Sequence, residues 1–201
     1  MDKISVYALD TRKFSFGELL AFINISDSEA SQFEKYKVLE VKKEKLISCY
    51  FKKKYVGETF LNEDGKPLSK DIYFNISGSK GVMVIALSKN HDVGVDIEVL
   101  RPQDKDLIRY VCSDEEFAFV KNEVDFTSIW TNKESLVKCL GTGIKNNIKG
   151  IPALPINGKK SYQGEIFYSR SIKFGESIIS LTLKSDKEFD YDLIVLDVKH
   201  G

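Results

Sequence analysis

The sequence predicts an α+β fold of two similar halves, each a small antiparallel sheet with a long helix. Three observations support this prediction: apolar runs of strand length, stretches with apolar residues at helical spacing, and the order of these segments along the chain. The order is strand, helix, strands, followed again by helices and strands. No residue-level repeat accompanies it, so sequence alone does not establish a duplication. The boundary is placed so that residues 1–92 form the N-terminal half and residues 93–201 the C-terminal half.

In the N-terminal half, residues 4–9 form a short apolar run that is typical of a buried strand. Apolar residues recur at near-helical spacing over residues 28–55, with lysines between them, which predicts one or two helices. A loop is predicted around residues 63–67, which contain glycine and proline. Residues 72–77 and 81–88 are predicted to be paired strands around a Gly-Ser turn.

In the C-terminal half, residues 93–99 are predicted to form a strand. Helices are predicted at residues 104–121 and 126–141, and the glycines at 141 and 143 are typical of a helix end. Three further strands are predicted from alternating or apolar runs: around residues 164–172, 177–183 and 191–198.

Composition excludes several classes of protein. The chain has 30 basic and 30 acidic residues, so no net charge attracts it to nucleic acid or to an anionic membrane. No apolar run approaches the ~20 residues of a membrane span, and the N-terminus lacks the pattern of a signal peptide. The cysteines Cys49, Cys112 and Cys139 are odd in number and widely spaced, unlike a disulfide framework or a paired zinc site. These features predict a soluble, cytoplasmic protein with reduced cysteines.

A pair of carboxylates lies in the predicted strand at residues 93–99. Asp96 and Glu98 are two residues apart, so a period of two places both on one face, opposite the apolar residues. Two carboxylates on one face can share a cation. Taken alone, the pair is more often a polar, half-exposed strand face.

A second charged group lies in the predicted helix at residues 126–141. Trp130, Glu134 and Lys138 follow one another at intervals of four residues and therefore share one helical face. By helical geometry alone, an exposed Glu–Lys pair beside a core tryptophan explains this spacing. Together with Asp96 and Glu98, however, Glu134 would complete a hard-oxygen site for Mg2+, and a nearby lysine would meet a phosphate.

Five segments together resemble the 4'-phosphopantetheinyl transferase superfamily, and specifically its long, single-chain, surfactin-synthetase-activating branch. They keep the order and separation of the family motifs. The segments are GKP at 65–67, NISGS at 75–79, GVDIE at 94–98, SDEE at 113–116, and WTNKES at 130–135 with Lys138 and Gly141.

The resemblance implies a monomer with pseudo-two-fold symmetry, a three-stranded sheet and a long helix in each half, and coenzyme A bound between the halves. Asp96, Glu98 and Glu134 would hold Mg2+, and Glu134, or a water next to it, would be the base. Lys138 would contact the pyrophosphate. The implied activity is Mg2+-dependent transfer of 4'-phosphopantetheine from coenzyme A to a serine hydroxyl of an apo acyl- or peptidyl-carrier protein. Adenosine 3',5'-bisphosphate is the leaving group.

The resemblance also implies positions that bind coenzyme A. Lys66 and Ser77 correspond to positions near the adenine and the 3'-phosphate, and Lys133 is expected to join Lys138 in cofactor binding. A lysine of the helical region, Lys35 or Lys45, would add to the phosphate site, although the sequence does not choose among its many lysines. Glu116 has two interpretations, because it either supports Lys138 and the metal or caps a helix start.

One position departs from the family pattern. Where the family commonly has a histidine in AsnIleSerHisSer, which binds the 3'-phosphate, this sequence has Gly78. Loss of one charge-assisted contact costs about 1.5–3 kcal/mol unless Lys80 or a helix lysine replaces it. The alternative function is therefore a degenerate member that binds carrier protein or coenzyme A without efficient transfer.

The sequence has neither a GxxxxGK[ST] loop nor GxGxxG, which argues against other phosphate-binding folds. It does not identify the carrier protein or whether its pathway makes fatty acids, polyketides or nonribosomal peptides.

Overall fold

The computed structural model describes residues 2–143 and 147–198, which adopt the predicted α+β class. The helices in these ranges are α1 (Phe16–Ile23), α2 (Asp27–Ser31), α3 (Leu39–Phe51), α4 (Lys105–Val111), α5 (Asp114–Phe119) and α6 (Glu123–Leu140). The strands are β1 (Asp2–Asp10), β2 (Phe60–Leu61), β3 (Pro67–Leu68), β4 (Tyr73–Ser79), β5 (Val82–Ser88), β6 (Val93–Val99), β7 (Gly158–Tyr162), β8 (Glu165–Phe174), β9 (Ser177–Leu183) and β10 (Phe189–Val195). Within the ranges described, no helix combines the length and apolarity needed to cross a membrane.

Two four-stranded sheets organise the chain. The first has the order β10-β1-β5-β4 and is antiparallel except for the parallel pair β1–β10. The second, β6-β9-β8-β7, is antiparallel throughout. The implied three strands per half are corrected to four, because β10 joins the first sheet and β7 extends the second. Strand β10 therefore comes from the predicted C-terminal half but pairs with β1 of the predicted N-terminal half. The division into two halves at residue 92 stays a prediction.

The core lies between the two sheets, and each sheet has a helix on its outer face. One face of each sheet contributes to a shared, fully buried apolar cluster, which includes Val6, Val84, Val95 and Leu181. The opposite face of the first sheet packs against α1 and α3. The opposite face of the second sheet packs against α6, which therefore lies directly on β6 and β9.

Two helices, α4 and α5, form where one helix was predicted at residues 104–121, so the prediction of one continuous helix was wrong. Cys112 is extended, with φ −89° and ψ 141°, and ends α4. Ser113 then starts α5 with a capping box: Glu116 N donates to Ser113 Oγ (3.3 Å), and Ser113 N donates to Glu116 Oε2 (2.8 Å). The Ser113 and Glu116 side chains accept hydrogen bonds from N–H groups at the start of α5. This capping stabilises a new helix start at Ser113 instead of a continuation of α4.

Gly94 allows α6 to lie against β6. A Cβ atom at this position would stand 1.9 Å from the carbonyl oxygen of Ser135 and 2.5 Å from the backbone nitrogen of Cys139. Both are main-chain atoms of α6, so the helix as a whole would have to move away from the strand. The missing side chain therefore sets the distance between α6 and the polar face of β6.

We expect Gly94→Ala to lower the free energy of unfolding by about 1–3 kcal/mol through overpacking. Gly17→Ala is the matched control, because its Cβ would meet only Ser15 Oγ, at 4.0 Å, inside helix α1. That replacement should raise the free energy by about 0.5–1 kcal/mol. Urea unfolding of both variants measures the difference, and equal effects would contradict the close approach at Gly94.

Candidate active site

Strand β6 turns its acidic residues away from the core. Val93, Val95 and Ile97 enter the cluster between the sheets, while Asp96 and Glu98 alternate with them. Asp96 is nevertheless only 3% exposed, because α6 and β4 cover it. Buried carboxylates need partners, and those of Asp96 come from two other elements.

Asp96 is held by one residue of each neighbouring element. Lys138 Nζ, from α6, donates to Asp96 Oδ1 at 2.6 Å and to Ser77 Oγ at 2.9 Å. Ser77 Oγ, from β4, donates to the same Oδ1 at 2.8 Å. The second oxygen, Asp96 Oδ2, is buried and has no hydrogen-bond partner among the residues that the structure describes. Such an oxygen is available to a cation.

Strand β4 supplies a row of polar side chains to β6. Asn75 Oδ1 accepts from the backbone nitrogen of Val95 (3.0 Å), and Ser79 Oγ donates to Glu98 Oε2 (2.6 Å). Asn75, Ser77 and Ser79 alternate along β4, so all three project toward β6. The period-two rule that selects Asp96 and Glu98 also selects this row, but the sequence interpretation used Ser77 alone.

The electrostatics of the site couple its three carboxylates. Burial raises the pKa of half-buried Glu134, the negative charge of Asp96 raises it further, and Lys138 opposes the rise. Burial likewise raises the pKa of Asp96, against the effects of Lys138 and Ser77. Glu98 adds a smaller repulsion to both groups. Extra positive charge at this place would relieve the repulsion.

The donor set suits a hard divalent cation, because Mg2+ prefers carboxylate oxygens. Asp96, Glu98 and Glu134 provide such oxygens, and Asp96 Oδ2 has no competing partner in the described part of the chain. Within the same residues, no three acidic, histidine or cysteine side chains already form a metal cluster. Lys138 neutralises Asp96 instead. The residues therefore fit Mg2+ in their chemistry, while the ligand set is not preassembled.

A cavity of about 220 Å3 opens beside Glu98. Its lining residues are Glu98, Val99, Arg101, Gln103, Leu107, Phe126, Thr127 and Trp130. Half of these residues are apolar, and Trp130 precedes Glu134 by one helical turn. A cavity with both apolar and polar walls can hold a small chain next to a polar reaction centre.

Lys66 lies at the other end of α6. Its Nζ donates to the carbonyl oxygen of Cys139 at 2.6 Å and is 3.7 Å from Asp92. A Cβ on Gly141, the left-handed residue that ends α6, would stand 2.7 Å from Lys66 Cδ. Lys66 thus satisfies a carbonyl at the negative end of the helix dipole. Its contact with coenzyme A stays a prediction.

Lys133 is buried inside the protein, and its predicted contact with coenzyme A stays a prediction. The side chain is 0% exposed, and Nζ lies 2.7 Å from Glu116 Oε2. Nζ also donates to the carbonyl oxygens of Ile148 (3.0 Å) and Ile151 (2.7 Å). Lys133 is therefore an internal ion-pair partner. Of the two interpretations of Glu116, helix capping is confirmed, and its ion pair is with Lys133.

The two lysines predicted for the 3'-phosphate site, Lys35 and Lys45, are exposed. The Lys35 ammonium lies 5.3 Å from the ring centre of Tyr36, and Lys45 is on α3. The residue before Lys45, Glu44, accepts from Gly81 N (3.2 Å) and so brings α3 to the β4–β5 turn. The roles of Lys35 and Lys45 in phosphate binding stay predictions.

Gly78, the position that departs from the family pattern, lies against a methionine of the neighbouring strand. Met83 is directly opposite Gly78 on β5, and a Cβ at 78 would stand 2.3 Å from Met83 Sδ. A histidine at 78 therefore requires Met83, which is buried, to move.

Comparison with known proteins agrees with the α+β class of the fold. A family model described as the 4'-phosphopantetheinyl transferase superfamily matches residues 92–185, which run from β6 to β9. 4'-phosphopantetheinyl transferase gsp of Aneurinibacillus migulanus is 37% identical over 90 residues, 41% of this chain and 38% of that protein. 4'-phosphopantetheinyl transferases AcpT of Salmonella typhi and Salmonella typhimurium are 37% identical over 95 residues, 42% of this chain and 50% of those proteins.

The matched segment contains Asp96, Glu98, Glu134 and Lys138. Residues 92–185 are therefore similar to the 4'-phosphopantetheinyl transferase superfamily, which confirms the resemblance identified from the motifs. The aligned segments span half or less of the length of the curated relatives.

Proposed function

We propose that the protein transfers 4'-phosphopantetheine from coenzyme A to a serine hydroxyl of an apo acyl- or peptidyl-carrier protein, with Mg2+, releasing adenosine 3',5'-bisphosphate. The observation that carries the proposal is the joining of Asp96, Ser77 and Lys138 from three elements into one charged site within 2.9 Å of each other. The similarity to gsp favours the surfactin-synthetase-activating branch. The proposal includes a cytoplasmic monomer.

In this proposal Asp96, Glu98 and Glu134 hold Mg2+, and Asp96 Oδ2 is its unpartnered ligand oxygen. When bound, Mg2+ supplies positive charge to the pyrophosphate of coenzyme A. Lys138 donates hydrogen bonds to the same pyrophosphate and stabilises charge on the leaving group. It exchanges its bond to Asp96 for these contacts, since both acceptors are anionic.

The base in the proposal is Glu134 or a water next to it. The carrier serine loses its proton to this base as its oxygen attacks the β-phosphate. A carboxylate with a raised pKa holds a proton more readily than an ordinary one, which suits Glu134 to this task. The cavity beside Glu98 has room for the pantetheine chain.

Lys66 and Ser77 contribute to the nucleotide site in the proposal, with Lys35 or Lys45 at the 3'-phosphate. Lys80 follows Gly78 in the β4–β5 turn and is exposed, so its ammonium is free to take the place of the absent imidazole. The second candidate function is binding of carrier protein or coenzyme A without efficient transfer. The glycine at position 78 favours it, because the charge-assisted contact of a histidine with the 3'-phosphate is missing there.

Intact mass spectrometry tests the proposal. An apo carrier protein incubated with this protein, coenzyme A and Mg2+ should gain the mass of one phosphopantetheine group, and EDTA should abolish the gain. Lys138→Met should slow the gain about tenfold to a hundredfold, because one charge-assisted hydrogen bond is worth about 1.5–3 kcal/mol. The control Lys149→Met changes an exposed lysine and should have no effect. No gain with several carriers, despite measurable binding of coenzyme A or carrier, would favour the second candidate.

A further inference from the structure

Helix α6 meets the second sheet through polar side chains. Thr131, Asn132 and Ser135 are fully buried on the side of α6 that faces β8 and β9. Thr131 shares a hydrogen bond with Ser180 (2.7 Å), and Ser135 shares one with Thr182 (2.7 Å). Hydrogen bonds have fixed directions, whereas apolar contacts do not. This polar contact therefore determines where α6 lies along the sheet.

Asn132 is the centre of the polar contact. Its Nδ2 donates to the carbonyl oxygen of Ser128 (3.0 Å), to Ser171 Oγ (2.7 Å) and to Ser180 Oγ (3.2 Å). Its Oδ1 accepts from Lys160 Nζ, on β7, at 2.9 Å. An ammonium has donors only, so it can face only the oxygen end of the amide. Lys160 thus sets the orientation of Asn132.

Lys160 is an unusual residue for this place, since it is 4% exposed and its hydrogen bond goes to a neutral amide. The charged group that acts on Lys160 is Glu116 of α5, which already forms an ion pair with Lys133 of α6. Burial lowers the pKa of Lys160 to about 7, and Glu116 only partly opposes this. Glu116 is therefore already paired with Lys133, and the hydrogen bond of Lys160 is to Asn132.

We propose that Lys160 and Asn132 form a positioning pair that holds α6 in register on the second sheet and so places Glu134 and Lys138 against Asp96. Asn132 is two residues before Glu134 and on the sheet side of the same helix. Neither member of the pair touches the reacting atoms. A shift of about 1 Å in catalytic groups costs about a hundredfold in rate, which makes the register of α6 important. The effect on rate rests on the proposed function.

Lys160→Met removes the hydrogen bond and the charge while keeping similar bulk. We expect kcat to fall about tenfold to a hundredfold, with KM for coenzyme A changed less than about twofold. The backbone amide of Glu134 and the side-chain amide of Asn132 should shift in nitrogen-15 NMR spectra. Lys159→Met is the matched control, because Lys159 is the exposed neighbour on the opposite face of β7. It should leave the rate and both signals unchanged.

The pH dependence of stability gives a separate readout. A lysine whose folded-state pKa is about 7, below the ordinary 10.5, binds a proton more weakly in the folded than in the unfolded chain. The urea concentration at the midpoint of unfolding should therefore rise as pH increases from about 7 toward 10.5. The rise should be smaller in Lys160→Met than in wild type or Lys159→Met.

Unchanged kcat and unchanged Glu134 and Asn132 signals in Lys160→Met would overturn the positioning pair. If Lys160→Met fails to fold, Asn132→Asp replaces it: a carboxylate beside Lys160 should raise that pKa by about 1–3 units, and an unmoved titration would overturn the pair. If wild type transfers nothing to any carrier, the proposed function fails, while the NMR comparison of Lys160→Met with Lys159→Met still decides the positioning.

Discussion

Asp96→Asn is expected to reduce phosphopantetheine transfer about a thousandfold. The replacement keeps the shape of the side chain but removes the charge that Lys138 pairs with and that the proposed Mg2+ would bind. Loss of metal-based charge stabilisation is worth several kcal/mol, and each ~1.4 kcal/mol is a factor of ten in rate. Steady-state transfer rates and calorimetric titration with Mg2+ measure the two consequences.

Asp186→Asn makes the same chemical change on an exposed residue between β9 and β10 and should leave both measurements unchanged. Transfer by Asp96→Asn at the wild-type rate, with Mg2+ binding intact, would remove Asp96 from the proposed metal site. Loss of Mg2+ binding with normal unfolding would support its role as a ligand, since the fold would then be preserved.

The second large effect concerns stability. Lys133→Met should lower the free energy of unfolding by about 3–5 kcal/mol, because it leaves Glu116 as an unpaired buried charge. Guanidinium unfolding followed by circular dichroism measures the change. The double variant Lys133→Met/Glu116→Gln should recover much of the loss, because no buried charge remains from the pair.

The same pair of variants distinguishes the two interpretations of Lys133. A residue that binds coenzyme A would, when replaced, weaken binding and leave the unfolding midpoint unchanged. That result would support the cofactor contact predicted from the motif and contradict the ion pair with Glu116.

The spacing of residues along α6 contained a signal for the position of Lys133. Lys133 lies four residues after Ile129 and four before Val137, and both of these are buried. This spacing puts Lys133 on the apolar stripe, about 100° around the helix from Glu134. The position of Lys133 next to Glu134 in the motif led to the prediction of a cofactor contact, whereas its position on the helix predicts a side chain in the protein interior.

Most strands were predictable because their patterns are local. The predicted strands at 4–9 and 93–99 lie within β1 and β6, those at 72–77 and 81–88 match β4 and β5 except for their first residues, and α6 includes most of the helix predicted at 126–141. The parallel pairing of β10 with β1 was not predictable, because it joins residues almost the full chain length apart. Nothing in either strand alone selects the other as its partner.

By itself, the sequence determined the α+β class, the common face of Asp96 and Glu98, and the resemblance to the superfamily. These follow from local periodicity and from motifs whose order is readable along the chain. Only the tertiary structure decided which charges meet: Lys138 with Asp96, and Lys133 with Glu116. Two adjacent stretches of one helix face different surroundings, and the desolvation of a charge depends on what packs around it.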